Sequence, residues 1–381
     1  MGKVKKILLV SIPSIHFFRW IHQLEGDEFE LYYYNIRNNK IEHVFPVNCK
    51  IVNSESLRPF KGEEFLKKKN DVLYQIVDNV FSFFWKSSFE KVLDAVKPDI
   101  VQAFELNTSA YPILSIMQRH KKIAFIYTIW GNDIYYFKNL KSHKFKIKAV
   151  FKRVNFLFSD CKRDYFLAKE EGFKGRYFGP FPGGGGFELK KVKENLFSEK
   201  ENIILVKGYE HQFGRAINIL KSLRSIIKDL KNYKIVIFSA NKKVIEYCNS
   251  EGLFKDMKIE ILSKNISHEE MSKLFIKSKI YIGNSISDGM PNTLLESICF
   301  GVFPIQSNPG GASAEVINDG VNGYLIEDPN NIRDISLKIK IAVTDLGLLK
   351  RAFDINMKNI RNEYEYNYIK EKVLKSYKNI F

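Results

Sequence analysis

YIGNSISDGMPNTLLESICFGVFPIQSNPGGASAEVINDGVNGYLIE, residues Tyr281–Glu327, is the stretch that decides the fold. A short apolar run ends near Asn284. The turn Ser287-Asp288-Gly289-Met290-Pro291 follows, and a helix is expected from Asn292 to Phe300. Unpaired amides at a helix N-terminus carry about half a unit of positive charge and make an anion site. Gly289 lets the backbone approach a phosphate closely. Glu296, four residues into the helix, would point back toward the same pocket, where a carboxylate can accept two hydrogen bonds from ribose hydroxyls. Asp288 either binds sugar hydroxyls or caps the helix.

Outward from this stretch the chain alternates strand and helix. Strands are expected at Lys6–Val10, Asp99–Phe104, Ile123–Trp130, Asn155–Ser159, Ile203–Val206, Lys234–Phe238, Ile259–Leu262, Ile280–Ile282 and Phe303–Gln306. Helices are expected at Phe17–Leu24, Arg215–Leu230, Lys242–Gly252 and His268–Lys279, and Asn331–Phe381 reads as helical throughout. Such alternation predicts βαβ units on parallel sheets, an α/β protein. At 381 residues the chain is too long for one ordinary core. Tyr177–Glu188, YFGPFPGGGGFE, breaks all periodicity and reads as a loop or hinge. The expected division is 1–185, 186–362 and a closing helix over 363–381. Two Rossmann-like halves imply a cleft between them, with ligands beyond the C-terminal strand ends.

Asp288-Gly-Met-Pro-Asn-Thr-Leu-Leu-Glu296 is similar to the donor-site signature of the retaining GT-B glycosyltransferases of family 4. The continuation Gly301-Val-Phe-Pro-Ile, Pro309-Gly-Gly and Glu315-Val-Ile-Asn-Asp-Gly320 resembles the same family in order and spacing. The resemblance implies two facing Rossmann-like domains, with a last helix that returns to the N-terminal one. It implies that Glu296 binds the nucleotide ribose and Asp288 contacts the donor sugar. The backbone of Gly289, Met290, Pro291, Asn292 and Thr293 would face the diphosphate or sugar. The first acid of the pair is usually Glu, and here it is the shorter Asp.

The family's Gly-Arg…Lys-Gly grip on the pyrophosphate is less well kept. In Val206-Lys-Gly-Tyr-Glu-His-Gln-Phe-Gly-Arg215, Tyr209 stands where Arg is usual and Phe213 where Lys is usual. Lys207 and Arg215 are the nearby cations that could compensate; Arg215 is expected to open a helix. Both could equally be surface cations. In the N-terminal half, Ser14-Ile-His16 follows the first strand and resembles a turn bordering acceptor and phosphates, with the usual Gly-Gly absent. His16 could bind either substrate or be an ordinary histidine. Glu105 lies just beyond a strand. Trp130-Gly131-Asn132-Asp133 stands where relatives carry His-Gly-x-Asp. That leaves Asp133 as the polar group expected to face the sugar or acceptor, with a helix N-cap as the alternative.

The resemblance implies transfer of a sugar of hexosyl type from a nucleotide sugar, with a UDP-sugar expected, to a hydroxyl acceptor. Retention by front-side attack is implied, with the leaving diphosphate accepting the proton. Catalysis would rest on Asp288, Asp133 and Arg215. No DxD occurs, and neither metal nor a further cofactor is expected. The formal charge is +17, and Met117–Arg153 holds ten Lys/Arg against the single acid Asp133. This stretch is either a solvated helix face or a surface for anionic lipid; nucleic acid is not expected as a partner. A lipid-linked or glycan acceptor of bacterial surface-polysaccharide synthesis fits, at the cytoplasmic face of the membrane. Cys49, Cys161, Cys248 and Cys299 form no CxxC pair, which suits a reducing compartment. No apolar run is long enough to span a bilayer. The rivals are a non-catalytic polyanion-binding protein on the same fold and a GT-B sugar-nucleotide epimerase. A nicotinamide dehydrogenase is weaker, because no GxGxxG follows the first strand.

Overall fold

The computed structural model describes residues 4–53, 86–189, 196–250, 257–263 and 266–381. The chain forms two compact units, one of Met1–Gly185 with Lys370–Phe381, the other of Gly186–Ile369. The return to the first unit starts at Lys370, later than the expected residue 363. Phe187 N–H donates to Tyr364 O (2.8 Å) and Tyr366 N–H to Phe187 O (2.9 Å), which holds that stretch in the second unit.

The first unit is built on a seven-stranded sheet in the order β3-β2-β1-β4-β5-β6-β7. The strands are β1 (Lys5–Ser11), β2 (Phe29–Asn35), β3 (Cys49–Asn53), β4 (Ile100–Phe104), β5 (Ala124–Ile129), β6 (Phe156–Ser159) and β7 (Arg176–Pro180). All pairings are parallel. The central strands are continuous apolar runs because helices cover both faces. Ile7–Val10 and Ile100–Val101 are fully buried. Lys6–Val10, expected as the first strand, lies within β1, an interior strand of the sheet.

Three strands here were not expected. β2 carries Tyr32, Tyr33 and Tyr34, and β3 is an edge strand. β7 overturns the reading of Tyr177–Pro180 as loop: an edge position tolerates Gly179 and Pro180, since no further partner needs the missing N–H. The first helix is Ile15–His22, starting earlier than expected because Ser14 Oγ accepts from Phe17 N–H at 3.2 Å.

The C-terminal helix Tyr366–Lys378 carries its last part back into this unit. Trp20 Nε1–H donates to Tyr377 Oη (3.0 Å). Tyr377 Oη–H donates to Gln102 Oε1. Gln102 Nε2–H donates to Thr128 Oγ1 (2.8 Å). Every member of this chain is buried, so each polar group needs the next.

The second unit has a six-stranded parallel sheet, β10-β9-β8-β11-β12-β13. Its strands are β8 (Glu201–Lys207), β9 (Lys234–Phe238), β10 (Lys258–Leu262), β11 (Ser278–Gly283), β12 (Phe303–Ser307) and β13 (Tyr324–Ile326). Only the three-residue edge strand β13 was unexpected. Helices span Ala216–Ser225, Lys242–Ser250, His268–Lys277, Asn292–Cys299, Ile332–Thr344 and Leu346–Ile355. Part of the expected Lys242–Gly252 helix lies outside the described residues. The helix expected to end at Lys279 ends at Lys277, because Ser278 already pairs with β8. The buried Lys200 ammonium donates to the carbonyls of Phe275, Ile276 and Ser278 at 2.9–3.2 Å, satisfying the end of that helix.

Candidate functional site

In a parallel sheet the two strands where the winding direction reverses leave a crevice at their C-terminal ends. In the second unit these strands are β8 and β11; in the first, β1 and β4. Most of the sequence-derived candidates follow one of these four strands.

In the second unit the loop after β8 is bound to the loop after β11. Gly214 pairs with Ser285 as an isolated antiparallel bridge. Arg215 N–H donates to Asn284 O (2.9 Å) and Ile286 N–H to Phe213 O (2.9 Å). A Cβ at Gly214 would run into the Tyr209 carbonyl, so only glycine closes this turn. Ser285 N–H is held by Ser307 Oγ of β12 at 2.8 Å. Asn284 Nδ2–H reaches Pro329 O at 2.9 Å.

The acid pair sits on this frame. Asp288 is half-buried, and its Oδ1 accepts Gly289 N–H at 2.9 Å. Gly289, Met290 and Pro291 are buried, so they can offer a ligand little beyond backbone. Pro291 has no N–H and that of Gly289 is taken, so neither adds an amide donor to those expected. Thr293 Oγ1 is 2.8 Å from Tyr281 Oη, which also donates to Gln306 Oε1 at 3.2 Å. A Cβ at Gly283 would run into those same two groups. Glu296 is 7% exposed, and its Oε1 lies 3.0 Å from Nε2 of His268 on a neighbouring helix. His268 was not singled out from the sequence. Its only local signal is the Ser267–Glu270 capping box that opens its helix.

One of the two expected cations departs from the expectation. Arg215 does not open the helix: its φ of −135° leaves it as the residue before Ala216. Its Nη1 donates to the carbonyls of His211, Gln212 and Gly214 at 2.7–3.3 Å, so much of the guanidinium is spent closing its own loop. The Lys207 ammonium lies over the Tyr209 ring, 4.9 Å from its centroid. Between them stands His211, a second residue that sequence reasoning passed over. Phe213 N–H donates to its Nδ1 at 3.2 Å. The partial burial of this otherwise exposed ring first, then the charge of Lys207, hold its pKa below the ordinary imidazole value. Arg215 adds to this, and Glu210 and Asp288 oppose it.

In the first unit Glu105, at the end of β4, has φ of +68°, a strained conformation for a residue with a side chain. Thr108 Oγ1–H donates to its Oε2 at 2.7 Å. Asp133 corrects an expectation. It is 2% exposed and turned inward. It accepts Leu106 N–H at 3.0 and 3.1 Å and Tyr127 Oη–H at 2.8 Å. Burial first, and then the Glu105 carboxylate, push its pKa well above the usual range, against those hydrogen bonds. Asp133 is therefore a positioning residue that anchors the turn after Glu105. Ser14 is occupied as the helix cap. His16 is exposed, its ring 6.2 Å from that of Trp130. Trp130 packs on Phe104 at 4.9 Å, and its buried Nε1–H has no hydrogen-bond partner among the described residues. Gly131 N–H donates to Asp160 Oδ2 at 3.1 Å, and Asn132 is half-buried beside it.

Asp160, Cys161 and Asp164 have ligand atoms within 4.8 Å of one another. Arg163, also buried, pairs with Asp164 at 2.9 Å, and burial pushes the Cys161 thiol up. A guanidinium already supplies the positive charge there, and a protonated thiol is a poor ligand. All four cysteines are free. Among the described residues no helix is long and apolar enough to cross a membrane.

Two parallel α/β units with acid-bearing loops at the switch points define the GT-B class. The same architecture is found in the sucrose-phosphate synthase of Thermosynechococcus elongatus, with a TM-score of 0.73 over 99% of both chains at 12% identity. Residues 187–359 match the family model of glycosyl transferases group 1, and residues 6–161 match that of glycosyl transferase 4-like proteins. With both halves matched, the chain belongs to the group 1 glycosyltransferases.

Two curated relatives are similar to it. One is the Campylobacter jejuni GalNAc-alpha-(1->4)-GalNAc-alpha-(1->3)-diNAcBac-PP-undecaprenol alpha-1,4-N-acetyl-D-galactosaminyltransferase, 28% identical over 46% of this chain and 48% of that protein. The other is an uncharacterized glycosyltransferase of Methanocaldococcus jannaschii, 30% identical over 51% and 48%. The matched segments span about half the length of these relatives.

Proposed function

We propose that the chain transfers a sugar from a nucleotide-sugar donor, a UDP-sugar first among the candidates, to a hydroxyl of a lipid-linked or polysaccharide precursor. The observation that carries this reading is the Asp288–Glu296 unit at the β8/β11 switch point, with a buried carboxylate held ready by His268. Glu296 would take the ribose hydroxyls and Asp288 the donor sugar. The Met290, Asn292 and Thr293 amides would face the diphosphate. Residues at the other switch point, above all Glu105 with His16, would meet the acceptor.

The chemistry proposed is transfer with retention and without metal. The bond from the anomeric carbon to the diphosphate oxygen breaks and one to the acceptor oxygen forms on the same face. The acceptor proton passes to the leaving diphosphate. The protein orients two substrates and stabilises the negative charge that develops.

The lipid-linked acceptor is supported by the Campylobacter relative, whose name specifies a PP-undecaprenol glycan. It is also supported by the helix Lys141–Phe151. Ile147, Val150 and Phe151 are its buried face, while Lys141, Lys144, Phe145, Lys148 and Lys152 line the exposed one. Such a face suits the anionic cytoplasmic surface of a membrane.

The test is a thermal-shift panel of UDP, GDP, ADP, CDP and their sugar conjugates in EDTA, followed by transfer assays with polyprenyl-diphosphate glycans. A stabilising shift by one nucleotide family, lost in Glu296→Gln, is the expected outcome. No shift with any member overturns the reading.

A further inference from the structure

We propose that His211 binds the donor's diphosphate, its Nε2–H donating to a phosphate oxygen where this chain lacks the customary arginine and lysine. The inference rests on the donor-site reading above and assigns one of its tasks to a residue outside the acid pair.

Three observations lead there. Tyr209 and Phe213 occupy the two positions where the resemblance expects cations. The two remaining cations are engaged: Arg215 through Nη1 on three carbonyls of its own loop, Lys207 over the face of Tyr209. His211, between them, is exposed at the tip of the loop.

Its chemistry is fixed by one bond. Nδ1 accepts Phe213 N–H and so cannot carry a proton. A neutral imidazole has one proton, which must then sit on Nε2. Among the described residues Nε2 has no hydrogen-bond partner. The depressed pKa keeps the ring neutral near pH 7, so Nε2–H stays a donor without the ring having to be charged. The loop that carries it is held by the Gly214–Ser285 bridge to the β11 loop that holds Asp288. Asp288 is also among the charges felt by the imidazole. The donor N–H, the carboxylate and the Asn292 helix terminus therefore belong to one braced structure.

Two side chains separate this role from mere loop shaping. Asparagine places its carbonyl oxygen near Nδ1, and can keep the Phe213 bond while losing the outer donor. Glutamine places its amide nitrogen near Nε2, and keeps the outer donor while losing the inner acceptor. Binding of UDP and of uridine would be measured by calorimetry for wild type, His211→Asn and His211→Gln, with unfolding midpoints as a folding control.

His211→Asn is expected to weaken UDP about tenfold and leave uridine unchanged, the size of one hydrogen bond to a charged oxygen. His211→Gln is expected to retain most of the UDP affinity. The reverse order, Asn retaining and Gln losing, makes His211 a loop-shaping residue and overturns the proposal, as does equal affinity in all three. If the nucleotide panel selects GDP, the comparison uses GDP and guanosine. A wild-type protein that binds none of UDP, GDP, ADP or CDP overturns the donor-site reading and this proposal with it.

Discussion

His268 Nε2 and Glu296 Oε1 lie 3.0 Å apart, a half-exposed imidazole on one helix holding a buried carboxylate on another. A carboxylate at 7% exposure has lost most of its water and depends on such partners. The imidazole leaves Oε2 available for a second donor. In the reading above that donor is a ribose hydroxyl.

His268→Ala should then raise the donor KM about tenfold and change kcat little, because ribose contacts are made equally in ground and transition states. His268→Gln, which keeps a donor near Nε2, should recover much of the loss. A fall in kcat with KM unchanged would contradict this role. Steady-state kinetics over donor concentration decides.

Asp133 makes a prediction with a pH sign. Its folded pKa is raised, so the native state binds more protons than the unfolded chain between the ordinary value of about 4 and the folded value. Stability from this group is present below pH 4 and is lost as pH rises. Asp133→Asn cannot lose it. The unfolding free energy of Asp133→Asn relative to wild type should therefore improve from pH 4 toward 7. Asp133→Ala should cost about 1–3 kcal/mol, since it leaves the buried Leu106 N–H and Tyr127 hydroxyl without their acceptor. Chemical denaturation of the three proteins across pH measures both.

Tyr377→Phe removes one oxygen from a buried chain of four side chains. Trp20 Nε1–H and Gln102 Oε1 both lose a partner. The expected cost is about 1–3 kcal/mol, read as a lower unfolding midpoint. Adding Gln102→Leu should cost less than the sum of the two single changes, because it removes one of the stranded groups.

The exposed face of Lys141–Phe151 predicts vesicle binding. Phe145 is 68% exposed in a row of lysines, two of which, Lys144 and Lys148, share Glu171. Each lysine near an anionic surface contributes about 1 kcal/mol. The triple change Lys141→Glu, Phe145→Ser and Lys152→Glu should abolish flotation with phosphatidylglycerol vesicles while leaving the nucleotide thermal shift intact. Equal flotation of both proteins would exclude this helix as the contact.

The central strands of both sheets were legible in the sequence. β1, β4, β5, β8, β9, β11 and β12 are apolar runs because a parallel strand covered on both faces has no polar side to show. β7, with Gly179 and Pro180, and the three-residue β13 were hidden because edge strands tolerate Gly and Pro and can be short; β2 and β3 were missed as well. The turn from Asp288 to Glu296 was legible for a related reason: it lies within one strand–turn–helix unit, where spacing fixes geometry.

The sequence by itself determined the α/β class, the acid pair and the loss of the usual cations at Tyr209 and Phe213. Only the tertiary structure decided what those residues touch. It turned Asp133 inward, spent Arg215 on its own loop, brought His268 to Glu296 and fixed the His211 tautomer through Phe213. Local spacing dictates where a side chain sits along its own element. Whether a titratable group ends up buried, paired or open depends on which other elements pack against it, and those contacts arise only when the chain folds.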